Sequence, residues 1–264
     1  MASRTFEDLV GIFPELGREG AREECRQNPL PRYLKASTDA AESGYDLALR
    51  EALDAWVKNN AKLVPYLTDR VKLGEDRARQ AFVVRRGREL EGIFESEGEL
   101  AEAVSSFVDL YEMYARQILA GFENPCFPGR GHVIARGFAL PKEAFETYWA
   151  VGETIRFDVP TAFTLNTNLV PLHFAWKQFT QDKPDGDPGE FAAVILGVEI
   201  QSHDDCPLLW TSFFEAALPG MDFRWQQEVI TPPNFEISIK SQERLSVDGA
   251  LHRLTAHGTR LRNA

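Results

Sequence analysis

Two side chains of opposite charge stand out, each on a short apolar run. Arg136-Gly137 lies within HVIARGFALP, and Glu228 lies within FRWQQEVITPPNFEISI, just ahead of Pro232-Pro233. A guanidinium held on a strand is a planar, always charged fork that suits phosphate oxygens. A glutamate at a strand end is a fixed negative group that can steady positive charge as it develops. Between the two in sequence, DVPTAFTLNTN supplies hydroxyls and amides, several of them from threonines. Each residue also has a plainer reading. Arg136 could be a salt-bridged strand residue, Glu228 a solvated edge carboxylate, and the threonines β-branched strand packing.

Other chemistries find less support. Gly129-Arg130-Gly131 opens like a dinucleotide-binding glycine loop, but Ile134 occupies the third glycine position and Pro128 stands where a strand should precede it. No phosphate-binding GxxxxGK[ST] loop, HExxH helix or GxSxG elbow occurs. His203, Asp204, Asp205 and Cys206 are consecutive, and consecutive residues rarely converge on one ion. Cys126 with His132 has weak support as a nucleophile and base pair, since a reactive thiol needs an electropositive, partly exposed setting that sequence does not show. No metal site is expected.

These groups need a scaffold, and the hydrophobic pattern supplies one. From Tyr45, the residues Leu49, Leu53, Trp56 and Val57 fall on one helical face. A second helix is predicted over 98–119, where Leu100, Val104, Phe107, Tyr111, Tyr114 and Ile118 form a core-facing stripe. Beyond Gly121 the texture changes to short apolar runs between turn residues. Strands are predicted over 132–140, 154–157, 191–200, 224–230 and 235–240, with a short helix after Pro141 and a polar turn over 181–190. Helices first and strands later predict an α+β fold. Residues 1–44, rich in Gly, Pro and charge, read as a flexible leader, and 45–264 as the functional domain.

The chain has 264 residues and a net charge of −11, so its field opposes nucleic acid and anionic membranes. Its length suffices to bury a core without metal or disulfide. Three scattered cysteines read as reduced thiols. No segment has the form of a signal peptide or approaches a membrane span.

Taken in order, IARGF, VGETIRF and QQEVITPPNFEISI resemble the arginine-serine-glutamate class of mono-ADP-ribosyltransferases, which includes cholera-toxin-like and Rho-modifying bacterial toxins. The resemblance covers 131–240. It implies two small packed antiparallel sheets with helices outside them, and NAD as substrate. By the resemblance, Arg136, Gly137, Thr161 and Thr164 bind NAD, and Glu228 and Gln226 are catalytic. The family's Ser-Thr-Ser positions fall near Ala162-Phe163-Thr164, so alanine replaces the first serine. Val84-Arg85-Arg86-Gly87 also reads as a hydrophobic residue, Arg and Gly, but lies far upstream and lacks the Gly-Glu turn.

Gln226, two residues before Glu228, refines the implication. A neutral amide cannot pair bidentately with guanidinium as a carboxylate does, so the resemblance points to Asn, Thr or Ser of a host protein as acceptor, with ubiquitin or small GTPases as candidates. It further implies a monomeric toxin or virulence effector, secreted without a cleavable signal peptide and acting in the host cytoplasm. NAD glycohydrolase and an inactive binding module are the alternatives.

Overall fold

The computed structural model describes residues 38–39, 41, 43–123, 127–129, 131–167, 169–180, 190–201, 206–211, 226–245 and 251–261. Most of the leader therefore lies outside the described residues, although Thr38 and Ala41 near its end are helical and buried.

Three helices come first. Helix α1 (Leu47–Leu73) starts at Asp46, whose side chain accepts from the Leu49 backbone N–H at 2.8 Å and so satisfies one of the orphan donors of the first turn. It carries Pro65 internally and leaves helical geometry at Asn59, so the element is two helical pieces across a kink. Helix α2 (Glu75–Leu90) buries only Ala78, Phe82 and Leu90, which is why its charged sequence gave no signal in advance. Helix α3 (Glu97–Gly121) is the predicted second helix, capped by Ser96 accepting from Glu99 N–H at 3.2 Å. The decoy Arg85-Arg86-Gly87 lies inside α2, not on a strand.

The remainder alternates strands with two helices: β1 (Phe127–Pro128), β2 (Val133–Pro141), α4 (Lys142–Tyr148), β3 (Thr154–Phe157), β4 (Thr161–Thr164), α5 (Leu169–Thr180), β5 (Phe191–Ile200), β6 (Pro207–Trp210), β7 (Glu228–Thr231), β8 (Phe235–Arg244) and β9 (Leu251–Arg260). The expected α+β class is what the chain adopts. Strand order is β1-β6-β7-β4-β2-β5-β9-β8-β3. One pairing, Ala135 with Thr164, joins the four-strand half to the five-strand half. Their aromatic side chains meet, with Phe163 of β4 packing edge-on against Phe235 of β8 at 5.9 Å between centroids. All pairs are antiparallel except β5 with β9, a parallel pair that the expected antiparallel sheets did not include.

Several boundaries move for local reasons. In the described part of the strand expected over 224–230, pairing begins at Glu228, because Gln227 adopts a positive φ of 50° that no strand residue takes; residues 224–225 lie outside the described residues. The strand expected over 235–240 continues to Arg244 through an irregularity between Ile239 and Ser241. Gly152 (φ 94°) makes the anticipated turn into β3, its N–H donating to Ile239 O at 3.0 Å. Cys206 is buried and, among the described residues, forms no disulfide. Cys25, Cys126, the 203–205 triplet and nearly all of the polar 181–190 segment lie outside the described residues.

Candidate functional site

Arg136 and Glu228 meet where the two half-sheets join. Both line a cavity of about 280 Å³ whose wall also includes Gly137, Ala162, Thr164 and Gln226. Strand β2 brings Arg136, and β7 brings Glu228 at its first residue. Strand β4 lies between them, paired with both. The Arg136 guanidinium is anchored through Nη1, which donates to the Ala162 carbonyl at 2.5 Å. The Glu228 carboxylate accepts at Oε1 from the Trp56 indole Nε1 at 2.9 Å and from the Thr211 hydroxyl at 3.1 Å.

The two charges perturb one another less than burial perturbs each. Burial pushes the Glu228 carboxyl above the ordinary glutamate range, opposed by the bonds from Thr211 and Trp56 and by the charge of Arg136. Burial likewise lowers the Arg136 guanidinium, opposed by Glu228. A carboxylate whose proton affinity is raised by its surroundings, facing a fixed cation inside a cleft, is a common mark of a chemical site.

Gly137 is explained by packing. A β-carbon there would sit 1.7 Å from the Pro171 carbonyl oxygen and 2.7 Å from Ala175 N, so glycine lets α5 lie directly on β2. That approach sets Val170 and Phe174 of α5 on the cavity wall, which Val57 of α1 also lines. The apolar part of the pocket thus depends on a residue first noticed for its neighbour.

The two threonines separate. Thr164 stands directly across from Glu228 in the β4–β7 pairing, so threonine, and not the alanine expected from spacing, occupies the position facing the carboxylate. Its hydroxyl donates to Gln226 O at 2.5 Å and accepts from Asn166 N–H at 3.0 Å, fixing the entry to β7. Thr161 is not part of the cavity wall. It pairs with Thr231, and its hydroxyl donates to Val159 O at 2.9 Å. Gln226 lines the cavity two residues before Glu228, as the spacing required.

Solved structures of similar shape exist. Plx2a, an ADP-ribosyltransferase toxin from Paenibacillus larvae, is 11% identical over 91% of this chain and 96% of its own, with a TM-score of 0.48. The Vis toxin, an ADP-ribosyltransferase from Vibrio splendidus, is 12% identical over 98% and 88%, with a TM-score of 0.47. The Clostridium limosum C3 exoenzyme is 12% identical over 90% and 95%, with a TM-score of 0.46. No family model and no curated protein matches the chain.

Sequence reasoning did not find Trp56 or Thr211. Trp56 was visible as part of an apolar stripe, and the usable signal was its indole N–H, a donor that needs a partner once buried. Among the described residues there is no group of three His, Cys, Asp or Glu able to hold a metal, and no helix long and apolar enough to cross a membrane.

Proposed function

We propose that the chain splits NAD at the bond between nicotinamide and ribose and transfers ADP-ribose to a protein side chain. The observation that carries this reading is that Arg136 and Glu228, distant in sequence, line one cavity together with Gln226. In such a transfer the glycosidic electron pair leaves with nicotinamide, and the ribose carbon takes on oxocarbenium character. Glu228 supplies the fixed negative charge that steadies it, in a partly desolvated setting where charge counts for more. Arg136 supplies a fork for phosphate or ribose oxygens. Val57, Val170 and Phe174 offer an apolar wall for a ring. The acceptor nucleophile then bonds to the ribose carbon and loses its proton.

Gln226 beside Glu228 supports a neutral acceptor, Asn, Thr or Ser of a host protein, over arginine. With this goes the role of a secreted effector, in which residues 1–44 form the leader and 45–264 the transferase. The test is incubation with NAD labelled in its adenosine half, in a host-cell lysate. Label retained on a protein, with nicotinamide released, is the expected result, and mass spectrometry then locates the modified residue. Release without protein label would return the glycohydrolase. No release would return the inactive binding module. Gln226→Glu sharpens the acceptor argument, which falls if acceptor choice does not move.

A further inference from the structure

The carboxylate of Glu228 must point at one place to be useful, and among the described residues the donors to Oε1 do not come from the facing strand β4. The facing residue on β4 is Thr164, whose single hydroxyl proton is given to Gln226 O at 2.5 Å. Ala162, the next residue on that strand face, has no hydroxyl. The donors come instead from outside the β4–β7 pair. Thr211, just past β6, reaches Oε1 at 3.1 Å, and the indole of Trp56 reaches the same oxygen at 2.9 Å across 172 residues of sequence.

We propose that Trp56 is the positioning residue for Glu228, so that helix α1 is a working part of the site and not only its packing partner. The inference rests on the function proposed above. Trp56 is 2% exposed, so its ring is fixed on every side and its N–H has one direction. A donor held that rigidly fixes the carboxylate rotamer with little entropy left to lose. Because the acceptor is a carboxylate, the bond is charge-assisted and favours the ionised form. Trp56 and Val57 are adjacent, which lets one turn of α1 both orient the carboxylate and wall the cavity. The kink at Asn59 lies two residues past Val57. Around Glu228, α1 presents Trp56 and Val57, β2 presents Arg136, β4 presents Thr164, and the segment after β6 presents Thr211. Among these described residues, Arg136 carries the charge.

The test compares wild type with Trp56→Phe, and with a second variant in which Trp56 is replaced by 3-benzothienylalanine, where sulfur stands in for the N–H and the shape is kept. Nicotinamide release is followed from pH 4 to 9, and the Glu228 carboxyl carbon is titrated by NMR. The expected result is a fall in kcat of roughly ten- to a hundredfold with KM for NAD nearly unchanged, since one charged hydrogen bond is lost. The acid limb of activity and the Glu228 titration should both move to higher pH, because a donor that favoured the carboxylate is gone. A residue that served packing alone would move neither. If the benzothienyl variant matches wild type in kcat and in titration, the proposal is overturned. If wild type releases no nicotinamide, the function proposed above falls. The carboxyl titration then decides the positioning role by itself: an upward shift in the variant upholds it and no shift ends it.

Discussion

Among the described residues, two glutamates flanked by arginine, the buried Glu112 and the half-buried Glu228, are built to opposite ends. Glu112, on α3, accepts from Tyr66 Oη at 2.6 Å, Arg116 Nε at 2.8 Å and Arg70 Nε at 3.1 Å. Both arginines are held in turn by Glu75 of α2, so the cluster ties three helices together. Burial alone would raise the Glu112 carboxyl, but these three bonds and the charge of Arg70 together hold it below the usual glutamate range. At Glu228 the same contest goes the other way, and burial outweighs Thr211, Trp56 and the more distant Arg136. A carboxylate that is saturated with donors has nothing left to offer a ligand. One that is costly to ionise, and that opens on a cavity, keeps its charge for whatever enters.

The largest effect that separates them is on activity. Glu228→Gln keeps shape and removes charge, and should lower nicotinamide release by a factor on the order of a hundred to a thousand. Its thermal midpoint at neutral pH should equal or exceed that of wild type. Because the folded-state proton affinity of Glu228 is raised, its contribution to stability is present below the ordinary glutamate pKa and is lost as pH rises through the higher folded value. An amide carries no such loss. A variant inactive only because it is unfolded would break the comparison, and circular dichroism with a melting curve distinguishes the cases.

Glu112→Gln should do the reverse. Breaking a buried, multiply bonded ion cluster costs about 3 kcal/mol, or a midpoint lower by about 6 to 12 °C for a chain of this size. Activity per folded molecule should hold. The folded proton affinity of Glu112 is lowered, so its stabilisation is complete above the ordinary value of 4.5 and fades as pH falls through the folded value. The gap between wild-type and variant midpoints should therefore narrow in acid. A gap that stayed constant below pH 4 would show that Glu112 is not the group responsible.

The same contrast explains what the sequence could disclose. Strands β2, β3 and β5 were legible almost to the residue, because each is a short apolar run bounded by turn chemistry. Strand β9, LHRLTAHGTR, was not, since only Leu251, Leu254, Ala256 and Gly258 turn inward and the residues between them are polar. Helix α5 was hidden for another reason. LVPLHFAWKQFT is apolar nearly throughout, so it has no periodicity, and it contains Pro171. At the site, Arg136 and Glu228 were readable because they sit on strands, and Gln226 because it stands two residues ahead of Glu228. Trp56 was not, because what makes it matter is a partner 172 residues away in sequence. The Glu112 cluster spans three helices and escaped in the same way.

A smaller effect concerns the floor on which the cavity rests. Gly137→Ala would drive a methyl into the Pro171 carbonyl and force α5 off β2. Overpacking of this kind costs about 1 to 3 kcal/mol, and here the displaced helix carries Val170 and Phe174. The variant should lose both stability and affinity for NAD, read as a lower midpoint and a higher KM. Unchanged KM with a lowered midpoint would mean that α5 does not contribute to the ligand pocket.

The finest distinction lies between the two threonines of β4, which spacing alone treated alike. Thr164→Val removes the hydroxyl that holds Gln226 O and receives Asn166 N–H, so the residue preceding the left-handed Gln227 loses its anchor. About 1 kcal/mol of stability should go, and Glu228 should lose some of its fixed entry angle, with kcat falling several-fold. Thr161→Val removes only a bond to Val159 O, outside the cavity wall, and should leave kcat and KM as they were, with stability lowered by about 0.5 kcal/mol. Equal losses of activity in both variants would mean that the hydroxyls act on a ligand from the strand itself. The division between a residue that shapes the approach to Glu228 and one that merely ends a turn would then be wrong.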